Sequence, residues 1–212
     1  MAKILGYIAA SLDGFIATAD DSLDWLFKYD DMQLGEHDYG LFLKRIRTVV
    51  MGRGTYDFIA RDPAPWAYDR QRTIVVTSRP IIDPEGVLET RSDVDELIAE
   101  LRRLDDGDVW MLGGAQLQMA FMERGALDEI EIYVMPELLG GGKPLFPATG
   151  FRASPRAPQR PDLGSGLCSP SLRTCDHKRR LECDVSSVAA AALRPGRSGN
   201  WARMEQTRPP GA

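Results

Sequence analysis

Residues 108–117, DVWMLGGAQL, run from an apolar segment through two successive glycines into a helical pattern. The first five residues predict a buried strand, and residues 115–124 predict a helix. Two glycines remove both side chains that would keep a pyrophosphate away from the N-terminus of that helix. A structural turn needs only one glycine, so the pair Gly113-Gly114 indicates a bound ligand.

The segments around this stretch alternate between strand and helix patterns. The predicted strands are residues 3–11, 48–52, 73–78, 108–112 and 129–135, and the predicted helices are 22–29, 36–47, 92–104 and 115–124. Ser92 is the predicted N-cap of its helix, and Asp95 completes a weak capping box. The alternation Ile130, Ile132, Val134 predicts one buried and one wet face for the last strand. Together these patterns predict an α/β fold with a largely parallel sheet covered by helices on both faces.

Ligands of such sheets bind beyond the carboxyl ends of the strands, and two more of these ends carry suitable residues. In Gly52-Arg53-Gly54-Thr55 the glycines allow backbone N–H groups to approach a phosphate, and Arg53 supplies a cation for it. In Thr77-Ser78-Arg79, hydroxyls and a guanidinium could hold the 2′-phosphate that distinguishes NADPH from NADH. For residues 52–55 the alternative is a tight turn with a solvated arginine, and for residues 77–79 it is an ordinary polar strand end. Residues 52–55 lack the third glycine of the Rossmann dinucleotide-binding fingerprint.

A break in composition near Phe151 divides the chain. Residues 1–150 carry 15 basic and 26 acidic side chains, whereas residues 151–212 carry 11 and 5, and ten of those 11 are arginine. The tail has no isoleucine or tyrosine to build a core. We predict a folded domain over 1–150 and a disordered tail over 151–212. One hypothesis is that the tail is a frameshifted translation of GC-rich DNA, beginning near residue 156.

Several classes of partner are not expected. No apolar run approaches the roughly 20 residues that span a bilayer, and the N-terminus reads as a strand rather than a signal peptide, which predicts a cytoplasmic protein. Cys168, Cys175, Cys183 and His177 have spacings that match no standard zinc finger, so no metal is predicted. The basic tail has no aromatic residue interleaved with its arginines beyond Trp201, and a nucleic-acid partner is not predicted. A tail that tethers the domain to DNA is the alternative.

Five spaced motifs carry a family resemblance. They are SLDGFIA (11–17), VVMGRGTYDF (49–58), TIVVTSRP (73–80), VWMLGGAQL (109–117) and IEIYVMPELLGGGKPLFP (130–147). Over about residues 3–150 the chain resembles the dihydrofolate reductase superfamily, in particular its bacterial branch related to the reductase domain of the riboflavin deaminase-reductase. The resemblance implies a three-layer α/β/α fold with a mostly parallel central sheet and an antiparallel C-terminal edge. The prolines after Arg156 argue against the final strand that this family pairs with residues 129–135.

The same resemblance implies an NADPH site. Its residues would be Ala10 and Ile16 at the nicotinamide; Gly52, Arg53, Gly54 and Thr55 at the phosphates; Thr77, Ser78 and Arg79 at the adenosine end; and Gly113, Gly114, Ala115, Gln116 and Leu117 at the pyrophosphate. A cis peptide between the paired glycines and a lid that begins at Asp13 are also implied. Such lids exclude water during hydride transfer.

Asp24, at the start of the predicted first helix, is the candidate catalytic acid. In the folate enzymes a carboxylate on this helix assists protonation of the pterin, and partial burial would raise its pKa to suit that task. The alternative is an aspartate that stabilises the helix dipole or caps the helix. Trp25 is interpreted as a cleft wall or core residue, and His37 as a surface histidine.

Two departures from the folate enzymes bear on the substrate. No Pro-Trp segment stands between Ala17 and Asp24, and Arg70, Gln71 and Arg72 surround the place of the arginine that holds the folate glutamate. We therefore expect an NADPH-dependent reductase of a small pterin-, pyrimidine- or flavin-like heterocycle. The alternatives are a riboflavin-pathway reductase of the 5-amino-6-ribosylaminouracil type and a nucleotide-binding protein without turnover. The relatives suggest a homodimer.

Overall fold

The computed structural model describes residues 1–29, 38–82, 84, 86 and 88–153, together with the backbone of 170–174 and 181–185. The elements follow in chain order: β1 (Ile4–Ser11), β2 (Phe15–Ala17), α1 (Asp24–Phe27), α2 (Tyr39–Arg45), β3 (Ile46–Gly52), α3 (Arg53–Ile59), β4 (Arg72–Val76), β5 (Leu88–Arg91), α4 (Val94–Leu101), β6 (Asp108–Gly113), α5 (Ala115–Glu123), β7 (Glu129–Met135), β8 (Lys143–Pro144), β9 (Pro170–Thr174) and β10 (Leu181–Val185).

The main sheet has eight strands in the order β10-β9-β7-β1-β6-β3-β4-β5. The six strands from β7 to β5 are parallel, whereas β9 and β10 run antiparallel to their neighbours. The predicted α/β fold with a mostly parallel sheet and an antiparallel C-terminal edge is therefore confirmed. β2 and β8 form a separate two-stranded antiparallel sheet.

Two apolar clusters fill the space between the sheet and its helices. On one face, side chains of α4 and α5 such as Leu97 and Phe121 pack with Ile4 of β1. On the other face, Leu26 of α1, Tyr39 of α2 and Tyr56 of α3 belong to the cluster around the fully buried Trp110. Helices on both faces make the three layers that the resemblance implied.

Several helix boundaries differ from the prediction, and two of them have a clear physical reason. Asp93, not Ser92, caps α4, and its carboxylate accepts hydrogen bonds from the amides of Asp95 (2.8 Å) and Glu96 (2.9 Å). Side-chain oxygens at this position satisfy the first amides of a helix, and the carboxylate that follows Ser92 does so here. The described part of the predicted helix 36–47 is α2, which ends at Arg45 because Ile46 already pairs with Asp108 of β6.

The prediction of a wet face on β7 is wrong. Tyr133 is 1% exposed, and its ring lies 4.7 Å from that of Tyr7, centroid to centroid. β7 lies inside the sheet, between β1 and β9, and the second face is covered by the cluster around Trp110. The second face is therefore partly buried, with Glu129 and Glu131 half-buried and Tyr133 fully covered.

The expectation that nothing in the tail supplies the final strand is also wrong. β9 pairs antiparallel with β7, with Arg173 opposite Glu129 and Leu172 opposite Ile130. Strand pairing uses backbone groups, and Pro170 stands at the first position of β9, where a missing donor is tolerated. The domain boundary at residue 150 and the frameshift hypothesis remain predictions, and Cys168, Cys175 and His177 lie outside the described residues.

The longest helix of the described segments, α5, has nine residues. No helix in these segments is long and apolar enough to cross a membrane.

A substitution at Gly6 tests the packing of β1 against β7. A Cβ at Gly6 would lie 2.8 Å from Cγ1 and 3.2 Å from Cβ of Ile130, neither of which is the free end of a side chain. We expect Gly6→Ala to lower the free energy of unfolding by about 1–3 kcal/mol, measured by denaturant titration. Gly141→Ala is the control, because nothing lies within 4 Å of a Cβ there. An unchanged unfolding midpoint for Gly6→Ala would contradict the prediction.

Candidate functional site

A cleft of about 770 Å³ opens at the carboxyl ends of the parallel strands. Its wall includes Tyr7, Ile8 and Ala9 of β1, Gly52 at the end of β3, Val76 at the end of β4, and Leu112 of β6. These ends lie side by side because β6 pairs with both β1 and β3, and β3 pairs with β4. Strand ends of an open α/β sheet are where ligands bind.

The turn after β3 forms one wall of the cleft. Gly52 is the N-cap of α3 and makes no side-chain cap, and Gly52, Arg53, Gly54 and Thr55 all line the cavity. The Arg53 guanidinium is held in place: Nε donates to Asp57 Oδ1 at 2.7 Å and Nη1 to the Pro80 carbonyl at 3.1 Å. Nη2 makes no hydrogen bond with a described residue, so it can serve a ligand.

The turn after β6 forms the adjoining wall. The peptide bond between Gly113 and Gly114 is cis, which confirms what the resemblance implied. Gly114 caps α5 without a side-chain hydrogen bond, so the first amides of the helix lack a side-chain acceptor. A Cβ at Gly114 would lie 3.5 Å from Thr55 Oγ1, which shows how closely the two turns approach.

Most of the predicted cofactor residues meet in this cleft. The residues that line it are Ile16, Gly52, Arg53, Gly54, Thr55, Gly114, Ala115, Gln116 and Leu117.

Five predicted cofactor residues stand outside the lining: Ala10, Thr77, Ser78, Arg79 and Gly113. Ala10 is buried, and Gly113 is the last residue of β6, immediately before Gly114. Thr77, Ser78 and Arg79 follow Val76, which does line the cleft, and Ser78 and Arg79 are exposed. The Thr77 hydroxyl donates to the Arg79 carbonyl at 3.1 Å. This segment is therefore a tight turn directly after the end of β4.

Asp24 does not lie in the cleft. It is exposed at the first turn of α1, its amide donates to Ser22 Oγ at 3.2 Å, and its side chain does not line the cavity. Trp25 packs against the cluster around Trp110, which supports its core interpretation, and His37 lies outside the described residues. The short α1 turns the Asp24 side chain to solvent, a direction that sequence spacing does not define.

The carboxylate that lines the cleft is that of Asp21, which sequence reasoning missed. Asp21 has a φ of 67°, uncommon for a residue other than glycine, and its carboxylate lies 3.4 Å from Lys143 Nζ. Lys143 also lines the cavity. The motif GGGK before Pro144 was a visible signal for Lys143, but no pattern linked it to Asp21.

β2 and β8, which we call the flap, form a further side of the cleft. Ile16, Ala17, Lys143 and Pro144 of the flap line the cavity. Gly142 leads into β8 with a φ of 145°, and a Cβ there would lie 2.1 Å from the Ala17 carbonyl oxygen. Only glycine allows this close approach of the two flap strands.

Asp13 ties the start of the predicted lid to the loop before the flap strand β8. Its carboxylate accepts hydrogen bonds from Ser11 Oγ (2.6 Å) and from the amides of Leu139 (3.1 Å) and Gly140 (2.7 Å). The Ser11 hydrogen bond, followed by those from the two amides, holds the pKa of Asp13 below its ordinary value. The carboxylate is therefore ionised at neutral pH.

Tyr7 is one of the residues along the cleft, and its ring packs inside the cluster around Trp110. Its neighbour Tyr133 donates from Oη to Glu131 Oε2 at 2.8 Å. Burial raises the pKa of Tyr7 and of Tyr133 well above the ordinary range, so both phenols are neutral at physiological pH.

Arg70, Gln71 and Arg72 lie elsewhere, around a second cavity of about 490 Å³. Arg72 donates to both carboxylate oxygens of Glu89 at 2.6 and 2.7 Å, and to Glu100 at 2.5 Å. Nε and Nη2 are thereby held by carboxylates of the protein itself, so Arg72 belongs to an ion-pair network outside the first cleft. The described residues contain no group of three or more side chains that could hold a metal ion.

The RibD C-terminal domain family matches residues 2–169 of the chain. YwjB, an uncharacterized protein of Bacillus subtilis (strain 168), is 35% identical over 145 residues, covering 68% of this chain and 82% of YwjB. The riboflavin biosynthesis protein RibD of Corynebacterium ammoniagenes is 30% identical over 151 residues, covering 63% of this chain and 43% of that protein. A crystal structure from Shewanella sp. PV-4, provisionally described as a riboflavin biosynthesis protein, superposes with a TM-score of 0.60 at 24% identity, covering 88% and 98% of the two chains.

These matches confirm the family resemblance that the five motifs indicated. The family match extends past residue 150 to residue 169. The chain spans less than half of the Corynebacterium RibD protein, whereas it covers most of YwjB.

The Asp13 carboxylate generates a prediction for the flap. Asp13→Ala removes the acceptor of two amides, so hydrogen exchange at Leu139 and Gly140 should accelerate on the order of tenfold. Because the folded-state pKa is depressed, the wild-type protection holds at neutral pH and is lost as the pH falls through that pKa, below 3.8. Asp20→Ala, which removes a carboxylate bound to Thr18, is the control and should leave these amides unchanged. Equal exchange in wild type and Asp13→Ala would exclude this role.

Proposed function

The chain belongs to the RibD C-terminal domain family, and from its cleft we propose that it is an NADPH-dependent reductase acting on a small heterocycle. The substrate class is pterin-, pyrimidine- or flavin-like. The observation that carries the proposal is the continuous wall formed by two glycine turns, with Arg53 beside them, in one cleft of about 770 Å³.

The residues of this wall suit a dinucleotide. A Cβ at Gly54 would meet nothing within 4 Å, so the glycine leaves open space in the cavity where a phosphate group fits. The uncapped N-terminus of the nine-residue α5 offers backbone amides to a pyrophosphate. Arg53, with Nη2 available, would hold the 2′-phosphate, and the hydroxyls of Thr77 and Ser78 with the Arg79 guanidinium would flank the adenosine end.

The rest of the lining would orient the reactants and exclude water. Apolar side chains of Ile8, Ile16 and Leu117 line the cleft, and the flap forms one of its sides. NADPH, when bound, supplies a hydride to a C=N or C=O carbon of the substrate, and the adjacent nitrogen or oxygen takes up a proton. Among the described residues that line the cleft, Asp21 is the one with a carboxylate.

A riboflavin-pathway reductase of the 5-amino-6-ribosylaminouracil type is the second candidate. The family match and the identity to the Corynebacterium RibD protein favour it. A nucleotide-binding protein without turnover is the third. Loss of NADPH absorbance with aminouracil, pteridine or flavin substrates separates the two enzymatic candidates, and tight NADPH binding without oxidation favours the third. The cytoplasmic location and the homodimer remain predictions.

Arg53→Ala tests the cofactor assignment. Loss of one charge-assisted contact to the 2′-phosphate should weaken NADPH binding by about 10- to 100-fold and leave NADH binding within about threefold, measured by titration calorimetry. Arg70→Ala removes the same charge from an exposed position outside the cleft and should change neither affinity. An equal loss for both nucleotides would contradict a role at the 2′-phosphate.

Gly54→Ala separates a ligand-binding glycine from a structural one. The residue is helical and its Cβ would meet no atom, so we expect stability to be kept or raised by up to about 1 kcal/mol. NADPH affinity should nevertheless fall on the order of tenfold, because the methyl group enters the phosphate space. Gly141→Ala, an equally open position outside the cleft, is the matched control. Unchanged NADPH affinity in Gly54→Ala would show that the turn holds no phosphate.

A further inference from the structure

Three charged side chains line the described part of the cleft, and they belong to two separate regions. Arg53 stands in the β3 turn, whereas Asp21 follows flap strand β2 and Lys143 belongs to flap strand β8. The proposed dinucleotide site uses Arg53 and the glycine turns. The Asp21–Lys143 pair therefore has no role in it.

The pair is loosely engaged. Lys143 Nζ and Asp21 Oδ1 are 3.4 Å apart, and the two side chains are 50% and 57% exposed. A charge-assisted hydrogen bond between an ammonium and a carboxylate is ordinarily about 2.7–2.9 Å long. The pair Lys3–Glu129 reaches 2.7 Å in the same molecule. Both charged groups thus keep hydrogen-bonding capacity on the side that faces the cleft.

The backbone holds both residues in defined positions. Lys143 pairs with Ala17 across the flap, in the close approach that Gly142 permits. Asp21 sits in a turn closed by the hydrogen bonds from its own amide to the Thr18 carbonyl (3.1 Å) and from the Ser22 amide to Thr18 Oγ1 (2.9 Å). The turn places Asp21 at a positive φ, so the carboxylate is presented by a fixed backbone.

Apolar residues also line the cleft to which the pair belongs. Ile16, Leu23 and Leu26 line the same cleft. In an apolar wall, a few placed polar groups determine the orientation of a ligand.

Resting on the proposed reductase function, we infer that Asp21 and Lys143 recognise the lactam edge of the substrate ring, with Lys143 donating to its carbonyl oxygen and Asp21 accepting from its ring N–H. An ammonium is a donor only and a carboxylate an acceptor only, so the pair complements a neighbouring acceptor and donor. A phosphate or carboxylate on the ligand would gain Lys143 but face Asp21. The pair carries no net charge. It therefore selects an uncharged N–H/C=O edge, as in uracil- or pterin-type rings, over an anion.

Binding of lumazine, a pteridine with two lactam groups, tests this inference by its fluorescence, with and without NADPH. We expect Asp21→Asn and Lys143→Gln each to weaken lumazine binding by about tenfold or more. Asp24→Asn, an exposed aspartate three residues away and outside the cleft, should leave it unchanged. 1,3-Dimethyllumazine lacks the N–H groups, so it should bind weakly to wild type and equally weakly to Asp21→Asn.

Three results would overturn the inference. They are no lumazine binding by the wild-type chain, equal loss of both probes in Asp21→Asn, and competition by inorganic phosphate that strengthens in Asp21→Asn. The last would assign Lys143 to an anion. Lumazine binding measured without NADPH does not depend on the proposed cofactor site. If NADPH fails to bind while lumazine binding is intact, the proposed cofactor is contradicted and the assignment of the pair stands.

Discussion

The pairing of β6 with β1 on one side and β3 on the other is the constraint on which the cleft depends. It brings the turn after β3 next to the turn after β6, close enough that Gly114 lies against Thr55. Both turns lead into helices without a side-chain cap. The glycines leave open space along this wall, since a Cβ at Gly54 would meet nothing within 4 Å, and they allow the backbone to approach a ligand closely.

The flap supplies the second half of the cleft by a different physical principle. Its two strands are too short to be stable as an isolated two-stranded sheet, so its position depends on contacts with the main body. The Asp13 carboxylate provides some of them through the amides of Leu139 and Gly140, and the Leu145 amide donates to the Gly14 carbonyl at 2.8 Å. A glycine-rich wall for phosphates and a charged flap for the ring divide the cleft between cofactor and substrate in the proposed reductase.

The change in composition near residue 151 does not coincide with the end of pairing in the sheet. β9 continues the sheet beyond β7 in spite of the arginine-rich composition around it. Backbone hydrogen bonds make a strand possible for many sequences, and the neighbouring strand supplies the template. Composition therefore indicates whether a segment can build a hydrophobic core. It is a weaker guide to whether the same segment can pair as a strand at the edge of a sheet.

The sequence by itself determined the order of five strands of the main sheet and four of the helices, the family, and the two glycine turns, because periodicity and glycine pairs are local properties of the chain. Strand β7 was predicted with its observed bounds, and nine of the fourteen predicted cofactor residues line the cleft. The burial of Tyr133, the exposure of Asp24 and the meeting of Asp21 with Lys143 were decided only by the tertiary structure. Each depends on which elements become neighbours in space, and residues 122 positions apart carry no local signal that they will face one cleft.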